Sequence, residues 1–382
     1  MNLSGRKERS NMDRRKYILS PCGTSLLTNF TKDGAQRNLI YKYANAKNKS
    51  DVPEADRAVL AERIEQLALE IETAGYEQAQ DMSAELNSII TFYGGVLPKA
   101  NDFHLLVCSD TWLGEVTARF VSKWILRACP DMAVVIHRQE GLQTGEMTSF
   151  QWALSDLVKK FYEELPKYKA AGYEIIFNLT GGFKAVQGFL QSIANFFADE
   201  TVYIFEKSDM LMRIPRLPVR LDAAEIVEKN LGCFRNLAMG VPYKGDVTIP
   251  ETMILSLDDV VELSAWGEVL WNEAKEQLYK AQLWPSPNPE KIRYGPGFQK
   301  STASIGPDRM RHVNNTIDQL NRFVHDNKAN LNSLDFKALK GGKMPPSTHE
   351  VDAWADSDAR RIFLHKDENG CYILDKLARG LH

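Results

Sequence analysis

The residues best placed to do chemistry lie in Tyr173–Lys184, YEIIFNLTGGFK. The apolar run Ile175–Phe177 predicts a buried strand that breaks into Gly181 and Gly182. Beyond the break, Phe183, Val186, Phe189, Leu190, Ile193, Phe196 and Phe197 recur at helical spacing. A strand–glycine–helix junction aims backbone N–H groups and the positive helix end at one point, so it can cradle an anion. Thr180 can add a hydroxyl and Lys184 a full charge. The same residues also suit a plain tight turn whose glycines only allow close packing, and the stretch alone leaves both readings open.

A second candidate region is the C-terminal end. The net charge of −3 hides a basic stretch over residues 291–382, which also holds five of the seven histidines: 312, 325, 349, 365 and 382. Such an end can meet a polyanion, although a mildly basic surface is as readily plain solvation. Five scattered cysteines (22, 108, 129, 233, 371) show no metal-ligand spacing, which predicts reduced thiols and a cytoplasmic protein. No apolar run approaches a membrane span and no signal-peptide pattern opens the chain.

Alternating strands and helices must position the first region. Lys16–Leu19, Phe103–Cys108, Met132–Ile136, Ile175–Phe177 and Thr201–Phe205 read as strands separated by helical patterns, which implies crossovers and a mostly parallel sheet. Ligands of such sheets collect outside the carboxyl ends of the strands. Three of those ends, SPCGTS (20–25), SDT (109–111) and LTGG (179–182), are short, polar and rich in donors, with Asp110 their one acid. That favours a phosphate-bearing ligand; the lack of a Walker or GxGxxG pattern argues against an ordinary ATP or NAD site. A helical hairpin, broken at Gly75, is expected as an insertion at 53–93, for packing or dimerisation. Ile214–Pro218 reads as an exit from this domain. Residues 221–284 predict a small helical or winged-helix module with a strand pair at Val247–Leu257. The stiff stretch Trp284–Pro289 reads as a linker. Beyond it, Lys291–Tyr294, Ser347–Trp354, Ala359–Leu364 and Cys371–Leu377 read as strands beside an amphipathic helix through Met310–Val324, with turns at Asp356–Asp358 and Asp367–Gly370.

The strand ends and LTGGFK (179–184) resemble the CARF sensors of type III CRISPR defence, particularly those related to ring nucleases, over roughly residues 14–220. The resemblance implies a dimeric Rossmann-like domain that binds a cyclic oligoadenylate, with cyclic tetra-adenylate the first choice. Carried over by position, Ser20, Thr24, Ser25, Ser109, Asp110, Thr111, Thr180, Gly181, Gly182, Phe183 and Lys184 would line the ligand. Ser20 and Lys184 would also assist any slow cleavage of the ring by the sensor itself.

The segments LDFKALKG (334–341), HEVDAW (349–354), ARRIFLHKDENG (359–370) and CYILDKLARGLH (371–382) resemble RelE-family messenger-RNA interferases. The whole is similar to the CRISPR-associated mRNA interferases, which join CARF (14–220), winged-helix (221–284) and RelE-like (285–382) parts. The resemblance implies a metal-independent, cofactor-free endoribonuclease in which a ribose 2′-hydroxyl attacks the adjacent phosphorus, with mRNA and the ribosome as partners. Arg361 matches the family's phosphate-binding arginine, and a guanidinium suits that role because it stays charged and grips two oxygens. Arg360 should point to the opposite face. Lys376 and Arg379 supply further basic groups, and His382 stands where some members place a catalytic histidine. The chain departs from its relatives in carrying His349, Glu350 and Asp352 in place of a lysine pair. Where others have a glutamate base it has Lys337, with Asp335 and Lys340 nearby. A different reading keeps the ligand sensor but makes the chain a DNA-binding regulator without nuclease activity, with a C-terminal fold that is inert or antitoxin-like.

Overall fold

The computed structural model describes residues 14–380 except 30, 32, 100, 144, 206–209, 219–221, 244, 246–247, 258–259, 327–332 and 340–343. The chain divides into two compact units, Met1–Arg220 and Leu221–His382. Among the described residues no helix is long and apolar enough to cross a membrane.

The first unit is built on six strands: β1 (Lys16–Cys22), β2 (Phe103–Cys108), β3 (Ala133–Arg138), β4 (Glu174–Asn178), β5 (Glu200–Ile204) and β6 (Leu211–Pro215). Their order is β3-β2-β1-β4-β5-β6. β1 to β5 run parallel, and only β6 runs antiparallel to its neighbour. This is the doubly wound Rossmann order, the mixed α/β architecture expected, and its direction reverses between β1 and β4. β1 is buried along nearly its whole length, as a central parallel strand must be. β6 lies where the sequence suggested an exit from the domain. It is a half-exposed edge strand with no alternating apolar pattern, so nothing in its residues announced it.

The insertion after β1 is longer and more broken than a hairpin. Helices Glu54–Thr73, Tyr76–Met82 and Ala84–Phe92 follow one another, preceded by Gly34–Lys42. The break inside the expected second arm falls at Ser83, whose hydroxyl caps the last helix by accepting from Leu86 N–H at 3.3 Å. Leu60, Leu67, Ile71, Met82, Leu86 and Ile89 merge into one core with Leu106, Trp124 and Ile125 from the Rossmann layer.

The second unit opens with short helices Ala223–Lys229 and Leu231–Leu237. The hairpin β7 (Ile254–Leu257) and β8 (Val260–Leu263) follows, then helix Ala265–Ala281. The strand pair thus sits later than Val247–Leu257. Next come β9 (Ile292–Tyr294), helices Pro296–Thr302 and Pro307–His325, then β10 (Lys337–Ala338), β11 (His349–Trp354), β12 (Arg360–Lys366) and β13 (Tyr372–Arg379). The last five strands form one sheet, β10-β11-β12-β13-β9. Ile362, Leu364, Leu374 and Leu377 pack with Val313, Ile317 and Leu320 of the long helix, leaving the alternate residues on the other face. The proline-rich stretch is clamped. Arg235 donates from Nη1 to Pro285 O at 2.6 Å, and Asn236 from Nδ2 to Pro287 O at 2.9 Å. Arg235 also pairs through Nε with buried Asp318 at 2.6 Å, and the Tyr279 hydroxyl donates to the same carboxylate.

Candidate functional site

In the first unit, the chain reversal between β1 and β4 opens a cleft of ≈710 Å³. Its walls bring together Thr24 and Ser25 from the end of β1 with Thr180, Gly181, Gly182, Phe183 and Lys184 from the end of β4. The glycines are needed where they stand. Gly182 has φ +89°, and a side chain there would run into Pro21. Gly23 packs on Gly182 so closely that a Cβ would sit 3.2 Å from its Cα. Helix Lys184–Phe197 starts without any side-chain cap, and among the described residues the N–H groups of Gly181, Gly182 and Phe183 donate to no acceptor. Those donors and the helix dipole face the cleft beside Lys184, which is exposed and, among the described residues, has no ion-pair partner. Gln187 holds the turn from behind, donating from Nε2 to Thr180 O at 3.2 Å and Gly181 O at 2.8 Å.

The remaining expected ligand residues lie elsewhere. Ser20 is fully buried under the cleft, its hydroxyl accepting from Asn178 Nδ2 at 3.0 Å. Ser109, Asp110 and Thr111, at the end of β2, do not line the cleft. Ser109 and Thr111 share a hydrogen bond of 2.8 Å, and Thr111 caps helix Trp112–Ala128 through Gly114 N–H. Asp110 binds Arg138 Nε and Lys47 Nζ, each at 2.9 Å, and accepts from Gly141 N–H. Burial alone would raise its pKa, but Lys47, Gly141 N–H and Arg138 together hold it below the ordinary carboxylate range.

Sequence reasoning missed Glu85. This residue of helix Ala84–Phe92 is 1 % exposed. It accepts from Gly23 N–H at 2.8 Å, Ser25 Oγ at 2.9 Å and Ser83 Oγ at 2.7 Å. A Cβ on Gly181 would collide with its carboxylate, so that glycine makes room for Glu85. A signal was available: an acid on the stripe Met82–Leu86–Ile89 has to be buried, hence bonded.

In the second unit the expected catalytic set is divided by the pleat. Arg361 pairs across the sheet with Asp352 and Ala378, and Phe363 with Lys376, so Arg361 and Lys376 share the face away from the long helix. Arg360 and Arg379 occupy the opposite face, both paired with Asp358, and Arg360 lies over the Trp354 ring. His382 and Lys340 fall outside the described residues. Arg361 is 16 % exposed and enclosed by acids: Glu350, Asp352 at 3.1 Å and Asp335 at 3.5 Å. Lys337 adds a second cation, 2.6 Å from Asp335. Burial pushes the Asp352 carboxyl up, with Asp335 and Glu350 adding to the effect against the pull of Arg361. Further along the same strand pair, His365 Nδ1 meets both Asp375 oxygens at 2.9 Å.

The first unit is therefore a Rossmann-like α/β unit with a cleft at its strand reversal lined by unused N–H donors and Lys184. Within that unit, residues 80–217 match a family described as CRISPR-associated protein (Cas_APE2256). No curated protein matches the chain in sequence. Among solved structures, Enterococcus italicus Csm6 bound to cyclic hexa-2′-fluoro-hexa-dAMP is 13 % identical over 59 % of this chain, with a TM-score of 0.31. The chain spans about half of that protein, 47 %. Can2 from Sulfobacillus thermosulfidooxidans in complex with cyclic tetra-adenylate is 10 % identical, with a TM-score of 0.24, over 93 % of this chain and 77 % of its own.

Proposed function

We propose that the chain is a cyclic-oligoadenylate-activated mRNA endoribonuclease of type III CRISPR defence that works as a homodimer on translating ribosomes. The observation that carries the sensing half is the row of unused N–H donors and the free Lys184 at the β1/β4 reversal, inside the stretch that matches a CRISPR-associated family. Donors fixed in place before the ligand arrives lose little freedom on binding, and they suit the repeated phosphates of a nucleotide ring.

The cleavage half rests on the RelE resemblance, with Arg361 and Lys376 on one face. There the RNA 2′-oxygen would bond to phosphorus while the P–O5′ bond breaks. The hydroxyl proton passes to a base and the leaving 5′-oxygen takes one up. Arg361 would hold the phosphate oxygens as their charge grows. Glu350 and Asp352 stand beside it as proton acceptors. The ring must favour the active state by several kcal/mol for the coupling to be useful. Translating ribosomes incubated with and without cyclic tetra-adenylate, followed by mapping of mRNA ends, test the whole reading. Ligand-dependent new ends are expected, and equal cleavage in both arms or none in either refutes it.

The acids around Arg361 favour a second reading, because a guanidinium already neutralised holds RNA poorly. In that reading the sensor is kept, the second unit binds DNA and nothing is cut. DNA retardation that survives Arg361→Ala, in a protein without ribonuclease activity, would select it.

A further inference from the structure

Of the cleft hydroxyls expected to donate to phosphate, those of Thr180 and Ser25 turn their protons inward. Thr180 Oγ1 donates to Asn178 Oδ1 at 3.1 Å while accepting from Ile204 N–H at 3.0 Å. Ser25 Oγ donates to Glu85 Oε2 at 2.9 Å. A carboxylate only accepts, so the direction of the Ser25 bond is fixed by chemistry and its single proton is committed. What Ser25 shows to the cleft is an oxygen with free lone pairs. Gly23 N–H is likewise bound to Glu85 and withdrawn from any ligand. At Ser25, next to Asp81 of the insertion, the β1 side therefore presents acceptors and negative charge, with the Thr24 hydroxyl beside them, whereas the glycine turn and Lys184 across the cleft present donors and positive charge. A phosphate is disfavoured at Ser25 and held by the glycine turn and Lys184. A hydroxyl or amino group is wanted where the phosphate is refused.

We propose that Glu85 is a specificity-determining residue: by taking the Ser25 proton it turns Ser25 into an acceptor for a hydrogen-bond donor on the ligand's sugar or base, and it favours the phosphates on the Gly181–Lys184 side. This deepens the cyclic-oligoadenylate reading and rests on it. The donor is either the ribose 2′-hydroxyl or the adenine amino group. Glu85 acts through Ser25 and is a positioning residue.

The test uses the full chain and three rings: cyclic tetra-adenylate, its all-2′-deoxy analogue and cyclic tetra-inosinate, which lacks the amino group. Affinities are measured by calorimetry for the wild type, Ser25→Ala and Glu85→Gln, with melting temperatures alongside. In the wild type one altered ring should bind about tenfold more weakly than cyclic tetra-adenylate, and which ring it is names the donor. In Ser25→Ala that ratio should fall to within about twofold. Glu85→Gln keeps the shape but lets Ser25 turn its proton outward, so there too the ratio should shrink. The proposal is overturned if all three rings bind the wild type alike, or if the discrimination survives both substitutions. It is also overturned if Glu85→Gln lowers the melting temperature and weakens every ring equally, the behaviour of a mere brace. A wild type that binds no ring defeats the sensing reading itself, and this proposal with it.

Discussion

Lys184 and Arg361 are the central cations of the two units, and their surroundings are opposite. Lys184 stands exposed at an open cleft, among unused N–H donors, while Glu85, the buried acid of the same cleft, is engaged by three donors of its own. Arg361 is mostly buried and gripped by Glu350, Asp352 and Asp335. An anion can enter the first site without breaking an ion pair. At the second it must compete with three carboxylates already in place, and the cluster of Arg361, Lys337 and those acids carries a negative balance. The difference teaches what the proposed function requires: its receiving site is open as it stands, whereas its acting site would have to shed carboxylate partners of Arg361 before it could hold RNA.

The sharpest way to break this comparison is Arg361→Ala. Ligand-dependent RNA cleavage should fall about 100- to 1,000-fold, as for loss of a charge-stabilising group. Ring affinity, measured by calorimetry on the same preparation, should stay unchanged. A large change in affinity would mean that the two sites are not separate.

Acid should weaken the first unit by a mechanism of its own. His104, buried in β2 with its ring 3.2 Å from the Tyr93 hydroxyl, has its pKa pushed down to about 4 by desolvation. The folded state therefore binds fewer protons than the unfolded state between that value and the ordinary histidine value of about 6.5. Stability is complete above pH 6.5 and is lost as pH falls toward 4, by about 3 kcal/mol at most. Chemical denaturation followed across that window should show the loss, and His104→Gln should flatten it.

Gly181→Ala sharpens the claim that the glycine turn makes room for Glu85. A methyl group there meets the carboxylate and should cost about 1–3 kcal/mol. The denaturation midpoint reads this, and the loss should be relieved in the background of Glu85→Ala. The smallest effect belongs to the open cation. Lys184→Ala should weaken ring binding about tenfold without moving the melting temperature, and added salt should narrow the gap.

Much of this was legible in the residues. The parallel strands announced themselves as apolar runs, and Gly181–Gly182 as the turn between strand and helix. Four of the five C-terminal strands and both acidic turns, Asp356–Asp358 and Asp367–Gly370, fell where alternation and turn chemistry put them, whereas the two-residue β10 had no pattern to show it. What escaped had a common cause. β6 is an edge strand without a pattern. Glu85 belongs to the cleft only because the insertion folds back across the end of β1, a contact some sixty residues apart in sequence. The separation of Arg361 from Arg360 followed from the pleat, but the acids around Arg361 come from β11 and the loop before β10, and no local spacing brings them together. Ser109, Asp110 and Thr111 show the reverse error. They have the right chemistry at a strand end, but the end lies away from the point where sheet order reverses, and their groups serve a helix cap and an ion pair.

The grip of Arg235 and Asn236 on the carbonyls of Pro285 and Pro287 bears on how the molecule can be dissected. A fragment begun at the prolines, to isolate the terminal sheet, would strip Asp318 of its guanidinium and of the Tyr279 hydroxyl while leaving it buried. Such a piece should come out of expression insoluble, whereas one cut before Ala223 carries its own counter-charge and is the smallest worth purifying.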